Sequence, residues 1–275
     1  MAKSALLKSS LVKKYWMALT GLFLCLFLVG HLIGNLQLIY GTSLQFNQYA
    51  LFMTTNPFIK VLSYLTYISI IFHAVDGIIL TIQNRKARPI RYNKENAAAN
   101  TKWASRNMAV LGTLILIFIA LHMSHFWAKM HYTQMPLQKV SIATDYGTQD
   151  LYVTTAGSYI GTSQIDNGQI EIKNKTEFFD VRAGLKIAEG YKDLYKITID
   201  FFKDEKAGLW YTIFYVFSMA VLAFHLNHGF ASAFQSFGLN HPKYNGIIKK
   251  TGVVFSIIVP LLFAIIPIYI RFFLK

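Results

Sequence analysis

The sequence predicts an all-α membrane protein: five transmembrane helices in one bundle, with a small insertion between the third and fourth. Three observations predict it. Of 275 residues, 54% are hydrophobic and only 15% charged, with mean hydropathy +0.37; soluble domains carry nearer 25% charged residues. Apolar runs long enough to cross a hydrocarbon core of about 30 Å occur five times, at 15–40, 58–82, 106–128, 209–234 and 251–270. All four tryptophans, Trp16, Trp103, Trp127 and Trp210, fall at the ends of those runs, where an interfacial belt belongs.

Taken in order, span one is too long and too polar-flanked for a cleaved signal peptide, and no small-residue cleavage site follows it. It holds the single cysteine, Cys25, so no intrachain disulfide, CxxC motif or thiolate cluster can form. Span two carries Asp76, the one carboxyl inside any span. An ionised carboxylate in hydrocarbon is costly, so Asp76 must pair, reach trapped water or take up a proton. Span five contains Pro260 and Pro267, which membrane helices tolerate when neighbours satisfy the freed carbonyls. Between spans three and four, 132–205 reads as a small ordered insertion. Within it, "SQIDNGQIEI" alternates around Asn167-Gly168, a pattern that predicts a β-hairpin. No internal repeat, P-loop or GxGxxG motif is present, and no nucleic-acid partner is expected. The whole of 1–275 reads as one transmembrane domain.

Charge predicts orientation. The N-terminal segment, the loop after span two and the loop after span four together carry fourteen basic residues against one acid, Glu95. The segment from Lys129 to Lys206 balances ten basic against eleven acidic residues. The N-terminus is therefore expected in the cytoplasm, and the insertion and the C-terminus outside. Nearly all of the +14 net charge then lies on the cytoplasmic face. The positive-inside rule alone accounts for such a bias, and a docking face for an acidic partner accounts for it equally.

Six of the eight histidines lie in spans: His31 in span one, His73 in span two, His122 and His125 in span three, and His225 and His228 in span four. Intramembrane ionisable groups are rare and usually face a bundle interior. One such histidine would most often be an interhelical hydrogen-bond partner. Four consecutive spans each supplying one point to ligation, and neutral imidazole suits iron. At about 1.5 Å rise per residue, His31 and His122 lie roughly 5 Å outside the midplane, and His73 and His225 roughly 5 Å inside it. An outer and an inner pair are what two stacked bis-histidine haems need. Gly34, Gly77 and Gly229 follow His31, His73 and His225 by three or four residues and share their helix faces. A flat porphyrin needs such a bare surface, although close helix packing also uses glycine.

The stretches "FLVGHLIGN", "IIFHAVDGIILTIQNRKARP", "SRNMAVLGTLILIFIALHMSHFW" and "FHLNHGFASAFQSFGLNH" resemble the cytochrome b membrane subunit of succinate:quinone oxidoreductases. The likeness is to the single-subunit, five-helix, di-haem form of succinate dehydrogenase and fumarate reductase. It covers all five spans in order and spacing, while the insertion, from about Tyr132 to Tyr191, departs from the short loop of that family. The resemblance implies four axial ligands, His31, His73, His122 and His225, paired first with third and second with fourth. Gly112, ten residues before His122, favours His122 over His125; Phe224 and Gly229 around His225 favour it over His228.

What the resemblance implies is two haems b, a quinone substrate, menaquinone foremost, and a flavoprotein and an iron–sulfur subunit docked on the cytoplasmic side. The location implied is the bacterial cytoplasmic membrane, with lipid around all five spans. The chain would be a non-catalytic electron-transfer subunit with no flavin or dicarboxylate site of its own. Trp103, Ser105, Arg106 and Lys243 are candidates for contacts to the inner propionates, and His228 for the same or for a helix contact. Asn35, Gln37, Asn47 and Gln48 place amides near the outer end of span one, where quinone is expected. Another di-haem cytochrome b, of the hydrogenase or formate dehydrogenase type, is the alternative; those dock their catalytic partners outside.

Overall fold

The computed structural model describes residues 9–87, 102–145 and 147–275. The basic residues Lys3, Lys8, Arg88, Arg91 and Lys94, and the acid Glu95, lie outside the described residues. Among those described, five helices are long and apolar enough to cross a membrane: Leu11–Tyr40, Pro57–Lys86, Met108–Tyr132, Gly208–Ser236 and Pro242–Phe272. The chain is thus a multi-pass, mostly helical membrane protein. Most helices overrun the apolar run that predicts them, and the overrun has a physical reason. A helix of 30 residues spans about 45 Å, which matches a bilayer with its headgroup layers rather than the hydrocarbon alone. Lys13, Lys14, Arg85, Lys86, Lys249 and Lys250 occupy those overruns.

Local chemistry fixes several helix ends. Span two starts at Pro57, whose missing N–H costs nothing in the first turn; the Asn56 side chain accepts from the N–H groups of Phe58 (2.9 Å) and Ile59 (3.3 Å). The segment after span one is a further helix, Ser43–Thr55. It opens with a capping box, in which Thr42 Oγ1 accepts from Gln45 N and Gln45 Oε1 accepts from Thr42 N. Span three is irregular: a π turn, Met123–Ala128, interrupts it directly after His122. Span five runs unbroken through Pro260 and Pro267, both buried.

Neighbouring spans pack one on two, two on three, three on four and four on one, closing a four-helix ring. Span five lies outside the ring against spans one and four; a Cβ on its Gly252 would come within 2.9 Å of the Phe230 ring. The diagonals, one to three and two to four, have no extensive backbone contact. Imidazole side chains meet across both diagonals.

The insertion carries two antiparallel three-stranded sheets. One is β1 (Lys139–Thr144), β2 (Gly147–Val153) and β3 (Tyr159–Gly161); the other is β4 (Ile170–Lys173), β5 (Glu177–Asp180) and β6 (Leu185–Glu189). Leu137, Ile160, Ile170 and Phe178 form its small core. The expected hairpin at Asn167-Gly168 is not one. Thr162–Asp166 is a short helix, and Gly168 (φ +71°) ends it. Gln169 N donates to Gln164 O and Gly168 N to Ile165 O, each at 2.9 Å, which is a Schellman cap. The same left-handed glycine that closes a tight hairpin also closes a helix, and the helix won. The β4–β5 hairpin instead turns at Asn174 and Lys175, both with positive φ.

The insertion is tied to the bundle at several points. Lys175 and Lys192 donate to the carbonyls of His131 (2.8 Å) and Met130 (2.9 Å) at the end of span three. Lys203 donates to the carbonyl of Leu274, and Arg271 to those of Phe202 (3.4 Å) and Asp204 (3.1 Å). An amphipathic helix, Leu194–Lys203, buries Phe201 and Phe202 in the main core beside Tyr215, Val259 and Ile270.

Candidate cofactor site between the spans

The four predicted ligands meet in two pairs, one along each diagonal. The rings of His31 and His122 lie 5.8 Å apart between centroids, with planes crossed at 88°. Those of His73 and His225 lie 6.1 Å apart, crossed at 65°. Adding Cβ to Gly21 would bring it 3.2 Å from His73 Cε1, and adding one to Gly112 would bring it 3.7 Å from His225 Cε1. Gly21 precedes His31 by ten residues, and Gly112 precedes His122 by ten. The two pairs are therefore separated along spans one and three by about 15 Å. His31 and His122 belong to the insertion end; His73 and His225 belong to the basic end.

The immediate partners differ between pairs. His31 stacks on Phe27 (5.2 Å) and lies beside Phe263 (5.7 Å); the Asn35 amide is 3.4 Å from its ring nitrogens and donates to its backbone carbonyl at 2.8 Å. His122 stacks on Phe118 and sits 3.5 Å through Nδ1 from the Tyr215 hydroxyl. His73 Nδ1 is 3.2 Å from the Met17 carbonyl and 3.3 Å from Thr20 Oγ1. His225 Nδ1 is buried and has no hydrogen-bond partner among the described residues. A buried, unpaired imidazole nitrogen costs free energy, and such groups call for an explanation.

Two imidazoles on opposite sides of one metal, each bound at about 2 Å, have ring centroids roughly 6 Å apart. Both pairs match that separation, but edge-on aromatic packing reaches it too. The donor set discriminates better. Among the described residues no three His, Cys, Asp or Glu side chains converge on one point. A bare ion would have two protein ligands where about four are usual. Two opposed imidazoles do suit an iron whose remaining ligands come from a macrocycle. The lack of extensive backbone contact across the diagonals, the orphaned His225 nitrogen and the glycines beside the basic-end pair fit that group.

Glycine roles shift from those expected. The space over Gly34 belongs to Tyr49, whose ring a Cβ would meet at 2.5 Å, and a Cβ on Gly77 would make ordinary contact with Met17 at 3.8 Å. Gly229 faces open space. Gly21 is the glycine that sequence reasoning passed over; the shared ten-residue spacing to His31 was the available signal. His125 is not in either pair: its ring contacts Phe201 (4.7 Å) and its Nδ1 lies 3.2 Å from the Tyr215 hydroxyl. His228 stays half-buried one turn beyond His225.

Among the expected amides, Asn47 is corrected. It is 1% exposed and points into the insertion. It donates to Gln138 Oε1 and to Asp193 Oδ1 (2.8 Å), and accepts from Tyr195 N (2.9 Å). Both of its N–H donors are used in docking, which leaves none for a quinone carbonyl. At the basic end, Trp103 packs on Phe224 at 5.4 Å and Lys243 lies 5.5 Å over the Tyr244 ring. Asp76 is half-buried, with no hydrogen bond among the described residues. Comparison with known proteins finds no matching family model, no matching curated protein and no matching solved structure.

Proposed function

We propose that this chain is the di-haem cytochrome b membrane anchor of a succinate:quinone oxidoreductase. The observation that carries the reading is the diagonal pairing of His31 with His122 and of His73 with His225, at two levels of one bundle. Each pair offers two neutral nitrogens to one iron, and the diagonals have no extensive backbone contact. When bound, two haems b supply one-electron transfer across the membrane interior.

The chain's own residues hold and seclude that chemistry. His31 with His122, and His73 with His225, would hold the two irons. Met17 and Thr20 orient the His73 ring by hydrogen bonding its Nδ1. Gly21 and Gly112 clear the face beside the basic-end pair. Phe118, Phe126 and Tyr215 pack around His122 and shield it. The basic end faces the cytoplasm of a bacterial cell and docks the iron–sulfur subunit, with the flavoprotein beyond it; the charge asymmetry supports this. Quinone, with menaquinone the expected species, meets the bundle at the insertion end.

Extraction in mild detergent, followed by a reduced-minus-oxidised spectrum, tests the proposal. Two b-type haems per chain and a co-purifying flavoprotein and iron–sulfur protein are expected. His31→Ala or His122→Ala should remove one haem, and His73→Ala or His225→Ala the other. A preparation without b-type absorbance, or one that captures only partners bound at the insertion end, would overturn it.

A further inference from the structure

Tyr215 has no part in the reading above beyond packing, yet its hydroxyl lies within reach of both histidines of span three. Its ring is 7% exposed and stands among Phe118, Phe126, Phe201, Phe202 and Phe214, all within 6.5 Å between centroids. Its hydroxyl lies 3.2 Å from His125 Nδ1 and 3.5 Å from His122 Nδ1. The π turn at Met123–Ala128 begins directly after His122 and contains His125. Such turns re-aim the side chains that follow and recur at functional sites. Here the turn brings a second imidazole to the same hydroxyl.

We infer that Tyr215 is a positioning residue that fixes the ring and tautomer of His122, with His125 fixing Tyr215 in turn. The inference rests on His122 being an iron ligand. Hydrogen-bond bookkeeping sets the direction. If Nε2 of His122 faces the iron, Nδ1 must carry the proton and donate. The Tyr215 oxygen then accepts, and its single proton is left for His125 Nδ1, which must be the unprotonated nitrogen of that ring. The result is a one-way chain, His122 to Tyr215 to His125. An acceptor on Nδ1–H makes the ligand more electron-donating and favours the oxidised iron. The basic-end pair has a different device, a backbone carbonyl at His73 Nδ1. The two levels are thus tuned independently.

The experiment is a redox titration of the purified complex, followed at both haem absorbances, with low-temperature electron paramagnetic resonance of the oxidised state. Tyr215→Phe keeps the ring and deletes the oxygen. It should retain both haems, raise the potential of the insertion-end haem and change its resonance, while leaving the other haem unmoved. One lost neutral hydrogen bond predicts roughly a fivefold change in the oxidised-to-reduced ratio at fixed potential, or ~40 mV for one electron. His125→Leu should shift the same haem the same way by less, and add nothing in the Tyr215→Phe background. Tyr211→Phe, which removes a nearby hydroxyl that bonds neither histidine, should shift neither haem. Two haems with unchanged potentials and spectra in Tyr215→Phe would overturn the inference while leaving the proposed function intact. A parent protein without b-type haem would overturn the proposed function instead.

Discussion

Replacing Asn47 with alanine should loosen the docking of the insertion on the bundle. Its amide makes three hydrogen bonds in a site that is 1% exposed. One runs to the Asp193 carboxylate at 2.8 Å, one to Gln138 Oε1, and one comes from Tyr195 N at 2.9 Å. A bond to a charged acceptor contributes about 1.5–3 kcal/mol and a neutral one about 1 kcal/mol. Together they amount to about 4 kcal/mol, or roughly a thousandfold in the docking equilibrium. Water entering the vacated space would recover part of this, so ~10²–10³ is the working range. Asp193 keeps one partner, Lys196 N at 3.0 Å, and so the Leu194–Lys203 helix should retain its cap. Asn47→Asp separates bonding from size: it still accepts from Tyr195 N but sets a second carboxylate against Asp193. The assay is amide hydrogen exchange across 185–203 in detergent, with limited proteolysis of the sheets as a second readout. Exchange should accelerate by the factor given, while the five spans keep their protection. Exchange within threefold of the parent in both variants would refute the view that this network holds the insertion in place.

Gly34→Ala places a Cβ 2.5 Å from the Tyr49 ring, an overpacking that should cost about 1–3 kcal/mol; thermal unfolding should show the loss, and Tyr49→Leu in the same chain should restore most of it. Under the proposed function, Asp76→Asn should leave assembly, haem content and turnover near the parent's, whereas slowed turnover in a fully assembled Asp76→Asn complex would show that the carboxyl carries protons. Lys186 and Asn174 hydrogen-bond the Glu177 carboxylate and hold its pKa below the ordinary 4.5. A depressed folded-state value gives stability that is present above pH 4.5 and lost as pH falls through the folded value. Protection factors at β4–β6, with the intrinsic pH dependence of amide exchange divided out, should therefore be steady from neutral pH down to that point and fall below it, and Lys186→Met should remove most of the dependence.

The spans were legible because a bilayer asks one simple question of a sequence, whether some twenty consecutive residues are apolar. The four histidines were legible for a related reason: an imidazole in hydrocarbon is costly enough to stand out. What was not legible depended on contacts made across the chain. Asn47 looked like a polar residue at a membrane surface, and its partners, Gln138, Asp193 and Tyr195, lie far away in sequence. The Thr42–Gln45 capping box is written in the sequence as T-x-x-Q, yet the helix it opens is too short and too polar to show in hydropathy. Asn167-Gly168 shows the limit of turn signals, since a left-handed glycine closes helices and hairpins alike. The role of His125 turns on one extra backbone step in the π turn, which hydropathy does not register.

The ten-residue spacing shared by Gly21–His31 and Gly112–His122 ties the two levels of the bundle together. Spans one and three each hold an imidazole of the insertion-end pair and a bare patch against the basic-end pair. Spans two and four supply only the basic-end imidazoles. Rotating span one to relieve one level would therefore disturb the other, because ten residues fix both height and angle on a rigid helix. A bulky Gly21→Leu should displace His73 and empty the basic-end level alone, since it leaves the helix register untouched. Inserting one alanine between Gly21 and His31 turns one contact about 100° away from the other, so one of the two levels must be lost whichever half of span one keeps its seat. Two haems retained by the insertion variant would mean that span one is free to adjust each level separately, and that the shared spacing is accidental.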